Sequence, residues 1–283
     1  MDVAFRLALP RRRGGARRAP LAGLLAVSLA LFGFRLLNPA HAGPCIRVRR
    51  SSDNALADIG FAGGWLDSAA LLAFVGAGSG YVVTWYDQSG AGRDVASATA
   101  AAQPRLVNAG TLEAAANGRP WALFSGAQSL ASASLADLPA GNADSALMAV
   151  GKADNTATTR IAVMYGGTNN GQQRVLAAAV TTAEGRASIG GAGVNTGLAT
   201  QMSSGVGNFG SETVELSWNG AAAAGSFGTL ATVTPSPLVV GSAPNNTLHW
   251  LGGLAEAAIF SRKLTVAEIA VLRADHRNVW GTA

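Results

Sequence analysis

Trp85-Tyr86-Asp87-Gln88-Ser89-Gly90-Ala91-Gly92 closes a short run of β-branched and aromatic residues, Tyr81–Tyr86, and passes directly into a glycine-rich turn. The same unit of apolar run and turn recurs along the chain. Trp121–Phe124, Ala146–Val150, Arg160–Tyr165, Thr213–Trp218, Pro237–Val240 and Leu254–Phe260 are separated by clusters of Gly, Asn, Ser and Asp. Short runs bounded in this way read as strands joined by turns. Asn219-Gly220, directly after Trp218, is a type I′ hairpin signal because both central residues need positive φ; Asn117-Gly118 and Asn170-Gly171 carry a weaker version of it. The alanine-rich stretches 95–102 and 176–179 have helical propensity but no apolar stripe, so they read as strand or loop. The pattern predicts an all-β domain of many short strands, a sandwich or barrel.

One helix is signalled, at the C-terminus. Thr265-Val266-Ala267-Glu268 is a capping box, with Leu264 and Ile269 in the staple positions and Ile269, Leu272 and His276 along one face. It reads as a short helix followed by a tail through Trp280-Gly281.

The first forty-two residues differ from the rest. Arg6, Arg11, Arg12, Arg13, Arg17 and Arg18 precede an apolar run from Leu21 to Phe34, followed by Ala40-His41-Ala42 and Gly43-Pro44. A run of about fourteen apolar residues is short for a membrane span of roughly 20 and suits a signal peptide cleaved after Ala42, with an uncleaved membrane anchor as the alternative. The expected organisation is a signal peptide over 1–42 and one domain over 43–283, secreted or periplasmic and free of the membrane after cleavage.

This segment also accounts for the net charge. Seven arginines and Asp2 give residues 1–42 a charge of +6, which leaves −1 for residues 43–283 out of the chain's +5. The part after Ala42 has no basic footprint for nucleic acid. Cys45 is the only cysteine, which excludes an intrachain disulfide and a cysteine-rich metal site. It reads as a small apolar residue at the start of a strand. With three histidines, one of them His41, a multi-histidine metal site is not expected. No metal or cofactor is expected; calcium, which many lectin-like sandwiches use, has no clustered Asp/Asn loop to support it.

No G-x-S-x-G elbow, H-E-x-x-H pair or P-loop is present. Gly205-Val206-Gly207-Asn208-Phe209-Gly210 matches G-x-G-x-x-G in letters only, lacks the strand–turn–helix context and reads as a loop. The densest chemical cluster is Trp85, Tyr86, Asp87 and Gln88. Two aromatic faces beside a carboxylate and an amide suit a sugar, whose C–H faces stack on rings and whose hydroxyls take polar bonds. The competing reading packs an aromatic into the core and has Asp87 organise its own turn. Asn245, His249 and Trp250 form a second polar-aromatic group, on which Trp250 also reads as core. Glu212 and Glu215 sit three residues apart on a predicted strand and therefore face opposite ways. Glu256 points either into a cleft or to solvent.

Trp85-Tyr86-Asp87-Gln88-Ser89-Gly90-x-Gly92, together with Val48-Arg49-Arg50-Ser51-Ser52-Asp53-Asn54 and Asp58-Ile59, resembles the start of the catalytic domain of α-L-arabinofuranosidase B. The C-terminal Gly252-Gly253-Leu254-Ala255-Glu256-Ala257-Ala258-Ile259-Phe260 and its Thr-capped helix are similar to the end of concanavalin A-like (LamG-like) lectin/glucanase domains. The resemblance implies a two-sheet jelly-roll sandwich and a polysaccharide or other glycan as partner. It carries over no catalytic residue. The family's nucleophile lies in an Asp-x-Glu-Asn stretch that this chain lacks. Its acid lies in a Gly-Gly-Asp-Asn turn where this chain has Gly241-Ser242-Ala243-Pro244-Asn245-Asn246. Retaining hydrolysis needs both carboxyl groups. The expectation is an exported carbohydrate-binding sandwich. An active α-L-arabinofuranosidase and a non-enzymatic adhesion or structural module are the alternatives.

Overall fold

The computed structural model describes residues 21–154, 158–178, 184–189, 193–198, 201–226 and 229–283. The arginines at 6–18 and Ala179 lie outside them. Every strand run expected above is present, within a few residues at each end. The pairings of the large sheet are antiparallel. Its centre is the last strand, Leu251–Phe260, which pairs with Ser145–Ala153 on one side. Ser145–Ala153 pairs in turn with Ser203–Gly210, and that strand with Thr213–Trp218 and Ala221–Ser226 beyond it. The facing layer runs from Ser236–Val240 to Leu130–Leu135 and to Arg160–Gly166, Gln173–Ala178 and Glu184–Ser188. Bridges through Arg105–Asn108, Val95–Ala96 and Gly80–Trp85 join the layers, so the sheet almost closes on itself. This is a β-sandwich architecture.

The other edge of Leu251–Phe260 is shared by two strands. Ala122–Ser125 takes residues 251–254, and Ser28–Gly33 takes 256–260. Ser28–Gly33 falls inside the stretch expected to be removed as a leader. Its apolarity is satisfied by burial on both faces, since neighbouring residues of a strand point opposite ways. Phe32 and Phe34 enter the core between the layers with Trp85, Phe124, Tyr165 and Trp218. Leu31 and Leu37 join Leu21, Leu24, Met148, Phe260 and Leu272 in a second apolar layer under the C-terminal helix. A cut after Ala42 would sever this strand from the chain that follows.

The capping box forms as expected, with the Thr265 side chain accepting from the Glu268 amide and the Glu268 carboxylate accepting from the Thr265 amide. The helix runs further than expected, over Val266–Trp280, and ends on Gly281 in the left-handed conformation. Leu272, His276 and Trp280 are its buried face. A second helix, Ser68–Val75, was not signalled: its residues are apolar all round, so no stripe marks it. The available signal was Asp67, whose side chain accepts from the Ala70 amide as N-cap.

Gly205–Gly210 is not a loop. It lies in the central strand Ser203–Gly210, buried throughout. Gly205 leaves room for the Trp218 indole, which packs across its Cα. Asn219 and Gly220 both have positive φ, 49° and 91°, and close the hairpin between Thr213–Trp218 and Ala221–Ser226. Glu212 lies in the turn before that hairpin with φ 60°, not on the strand.

Candidate functional site

The tryptophan, aspartate and glutamine of the 85–88 cluster turn inward. Trp85 is fully buried, stacked on Phe34 at 4.7 Å and tilted against Phe32 at 6.0 Å. Its faces belong to the core, not to a ligand. Asp87 is also buried, and its carboxylate accepts four bonds: from the amides of Leu31 and Ser89 at 2.9 and 2.8 Å, the Ser89 hydroxyl at 2.7 Å and the Arg93 amide at 3.1 Å. It organises its turn, which is the competing reading given above, and it also reaches across to residue 31.

Gln88 completes the arrangement. Its Oε1 accepts from the Leu37 amide at 2.7 Å, and its Nε2 donates to the carbonyls of Gly33 at 2.9 Å and Arg35 at 3.1 Å. The Gln88 amide donates to the Leu31 carbonyl at 2.8 Å, and the Arg93 guanidinium donates to that of Leu29. An edge strand presents a row of unpaired backbone groups that must be covered or hydrated. Here the loop after Trp85 covers that row from residue 29 to residue 37. The cluster is a clasp for the N-terminal strand.

Tyr86 alone in this stretch faces outward. Its hydroxyl donates to Asp58 Oδ1 at 2.8 Å, and Arg47 grips the same carboxylate through two bonds of 2.8 and 2.7 Å. Burial first and the Asp58 carboxylate second push the Tyr86 hydroxyl up to about 12. Asp58 itself is held below its ordinary value, chiefly by the Arg47 bond. The cross-strand neighbours Arg49 and Tyr81 extend this outer face, with the guanidinium 4.9 Å from the ring centroid. Tyr86 donates its amide to the carbonyl of Cys45, the residue after Pro44. Pro44 lines an open depression of about 380 Å³ with Leu36, His41, Ala42, Gly43, Gly60 and Phe61. His41 meets Phe61 edge-on at 6.0 Å.

The second candidate group does not converge with the first. Trp250 is buried in the core. His249 is held by the carbonyls of Gln128 and Asn246 at 3.2 and 2.9 Å, and Asn245 accepts from the Thr247 hydroxyl at 2.6 Å. These contacts build a local turn, and none reaches residues 85–88.

Glu256 points neither to a cleft nor to solvent. It is fully buried beneath the C-terminal helix, where Arg35 donates to both its oxygens at 2.5 and 3.2 Å and Trp280 Nε1 donates at 2.5 Å. His276 Nε2 stands 3.4 Å away, too long for a good hydrogen bond, while its Nδ1 meets the Ser204 hydroxyl at 2.7 Å. Burial opposes ionisation of Glu256, but Arg35 and His276 outweigh it and hold the carboxyl down to about 2. Arg35 also reaches Asp275 at 2.5 Å. Sequence reasoning missed this hub because its members are spread from residue 35 to residue 280. Glu215, the other strand carboxylate, pairs with Lys263 at 3.2 Å. Among the described residues no group of three or more His, Cys, Asp or Glu is placed to hold a metal ion, and no helix is long and apolar enough to cross a membrane.

Residues 27–132 match the family model of the α-L-arabinofuranosidase B catalytic domain, so the match opens one residue before the N-terminal strand. No curated protein sequence matches the chain. Solved structures of arabinofuranosidases share its fold. One is a GH54 α-L-arabinofuranosidase soaked with a cyclic sulfate inhibitor, with TM-score 0.68 and 12% identity over 90% of this chain. Another is an arabinofuranosidase complexed with arabinofuranosyl-α-1,2-xylobiose, with TM-score 0.66 and 13% identity over 88% of this chain. The chain spans 63% and 62% of their lengths. Residues 27–132 are thus similar in sequence to the arabinofuranosidase B catalytic domain, and the fold over most of the chain is that of GH54 arabinofuranosidases.

Proposed function

We propose that the chain is a glycan-binding β-sandwich that takes arabinofuranosyl-bearing polysaccharide without cleaving it. The observation behind this reading is an arabinofuranosidase-like fold whose motif carboxylates serve the fold. Asp87 is saturated by four donors, and Glu256 is sealed against Arg35 and Trp280. The binding face in this proposal is the outer surface around Tyr86, Asp58 and Arg47 beside the His41–Phe61 depression. It offers ring edges, a hydroxyl and charged groups to sugar hydroxyls. The protein would meet such glycans in the periplasm or outside the cell. Cleavage after Ala42 is not part of the proposal, because the strand and Arg35 lie before it.

Titration of the full chain with arabinan, arabinoxylan and arabinofuranosyl-xylobiose tests the reading. Saturable binding with the ligand recovered unchanged is expected. No binding to any of them would overturn it. The fold likeness also favours a second reading, an active α-L-arabinofuranosidase, and release of free arabinose in the same titration would establish that instead.

A further inference from the structure

We infer that residues 21–42 stay in the working protein, with Ser28–Leu37 acting as a built-in donor strand held by the 85–93 clasp. Three independent observations converge on the segment. Its backbone is paired on both sides: Leu251–Phe260 lies along one edge and the side chains of Asp87, Gln88 and Arg93 along the other. Its side chains fill two separate cores, Phe32 and Phe34 against Trp85 and Leu31 and Leu37 beneath the C-terminal helix. Its one charged residue, Arg35, is the bidentate partner of the buried Glu256. The family match over 27–132 begins at the same strand.

Loss of the segment would strand groups on the remaining chain. The Asp87 carboxylate would lose Leu31, both ends of the Gln88 amide would be unpaired, and Glu256 would lose both Arg35 bonds and keep Trp280 as its hydrogen-bond donor. Half of one edge of the central strand would open, and open edges recruit other chains. A molecule beginning at Gly43 is therefore not a shortened version of this fold. Pro39, Ala40, Ala42 and Gly43 are exposed, so a peptidase can reach the connection. Hydrolysis of the Ala42–Gly43 bond there, one water giving a carboxylate on Ala42 and an ammonium on Gly43, leaves the strand in place as a second chain.

The test is the mass of the folded protein made from the full chain in a bacterium that has signal peptidase, measured under native and then denaturing conditions. The native mass is expected to include residues 21–42, either joined to the rest or as a separate fragment that appears only on denaturation. A Gly43-start species confined to aggregates would support the same conclusion. A soluble, folded monomer that begins at Gly43 and lacks the fragment would overturn it. Nicking the exposed 39–43 connection with added protease supplies the second measurement. The wild-type protein should keep the fragment, and Gln88→Ala should release it at least tenfold faster. Equal release from both proteins would rule out the clasp.

Discussion

The guanidinium of Arg35 lies against the carboxylate of Glu256 with Nε 2.5 Å from Oε1, deep under the C-terminal helix and 221 residues away in sequence. Both groups are almost wholly removed from solvent. Removing one partner of a buried pair leaves a charge without compensation, at a cost of about 3–5 kcal/mol. Arg35→Leu should lower unfolding free energy by that amount in chemical denaturation. Arg35→Leu combined with Glu256→Leu should recover part of the loss, because the fully buried carboxylate is then gone and only the partly exposed Asp275 is left without its partner.

The same pair sets an acid limit. Glu256 is held at about 2 in the folded protein against an ordinary value of 4.5. A carboxyl lowered by folding adds stability that is fully present above its unfolded value and disappears as pH falls through the folded one. Stability should therefore decline between pH about 4.5 and about 2, by on the order of 3 kcal/mol from this group. Urea midpoints across that range check it. In the Arg35→Leu, Glu256→Leu protein the decline should be shallower.

Asp87→Asn replaces an acceptor with a donor that must face the Ser89 hydroxyl or the Leu31, Ser89 or Arg93 amides. The hydroxyl can turn to accept from it, but each carboxylate oxygen also faces at least one amide that can only donate. Unsatisfied buried groups cost about 1–3 kcal/mol. The variant should lose that much stability, and the loss should be read first as faster hydrogen exchange in residues 28–37.

Much of the sandwich was legible in the sequence, and the parts that were not fail for physical reasons. Alternation and turn chemistry are local, so the strands, the Asn219-Gly220 hairpin and the Thr265 capping box could be read directly. An apolar run behind arginines has the same composition whether it enters a membrane machine or a protein core. Its pairing with Leu251–Phe260 depends on contacts far away in sequence that the run itself does not show. The Trp85-Tyr86-Asp87-Gln88 cluster was legible as important but not in its role. Which way each side chain turns depends on the strand it meets. Tyr86 is the one member left facing a possible ligand.

Gly205 shows the same dependence on distant contacts. Its place in a glycine-rich string suggested a loop, yet it is glycine because the Trp218 indole occupies the space of a side chain. Gly205→Ala should destabilise by about 1–3 kcal/mol through overpacking, with a shift in tryptophan fluorescence. Gly90→Ala has no such clash but does have φ 91°, so its smaller cost should come from backbone strain without a fluorescence change.

Tyr86→Phe separates binding from folding. The lost hydroxyl is partly exposed and its partner Asp58 keeps both Arg47 bonds, so stability should change by less than about 1 kcal/mol. Affinity for arabinofuranosyl-xylobiose should fall several-fold in isothermal titration. Unchanged affinity would place the glycan elsewhere on the surface.

Hydrogen exchange at the N-terminal strand tests most directly whether the 85–93 loop is a clasp. The Leu31 and Leu37 amides each donate to a buried side chain of that loop, at 2.9 and 2.7 Å. In the full-length protein both should exchange as slowly as the central strand Ser145–Ala153. Exchange as fast as that of the exposed Ala42 and Gly43 would contradict the assignment of this segment to the folded domain.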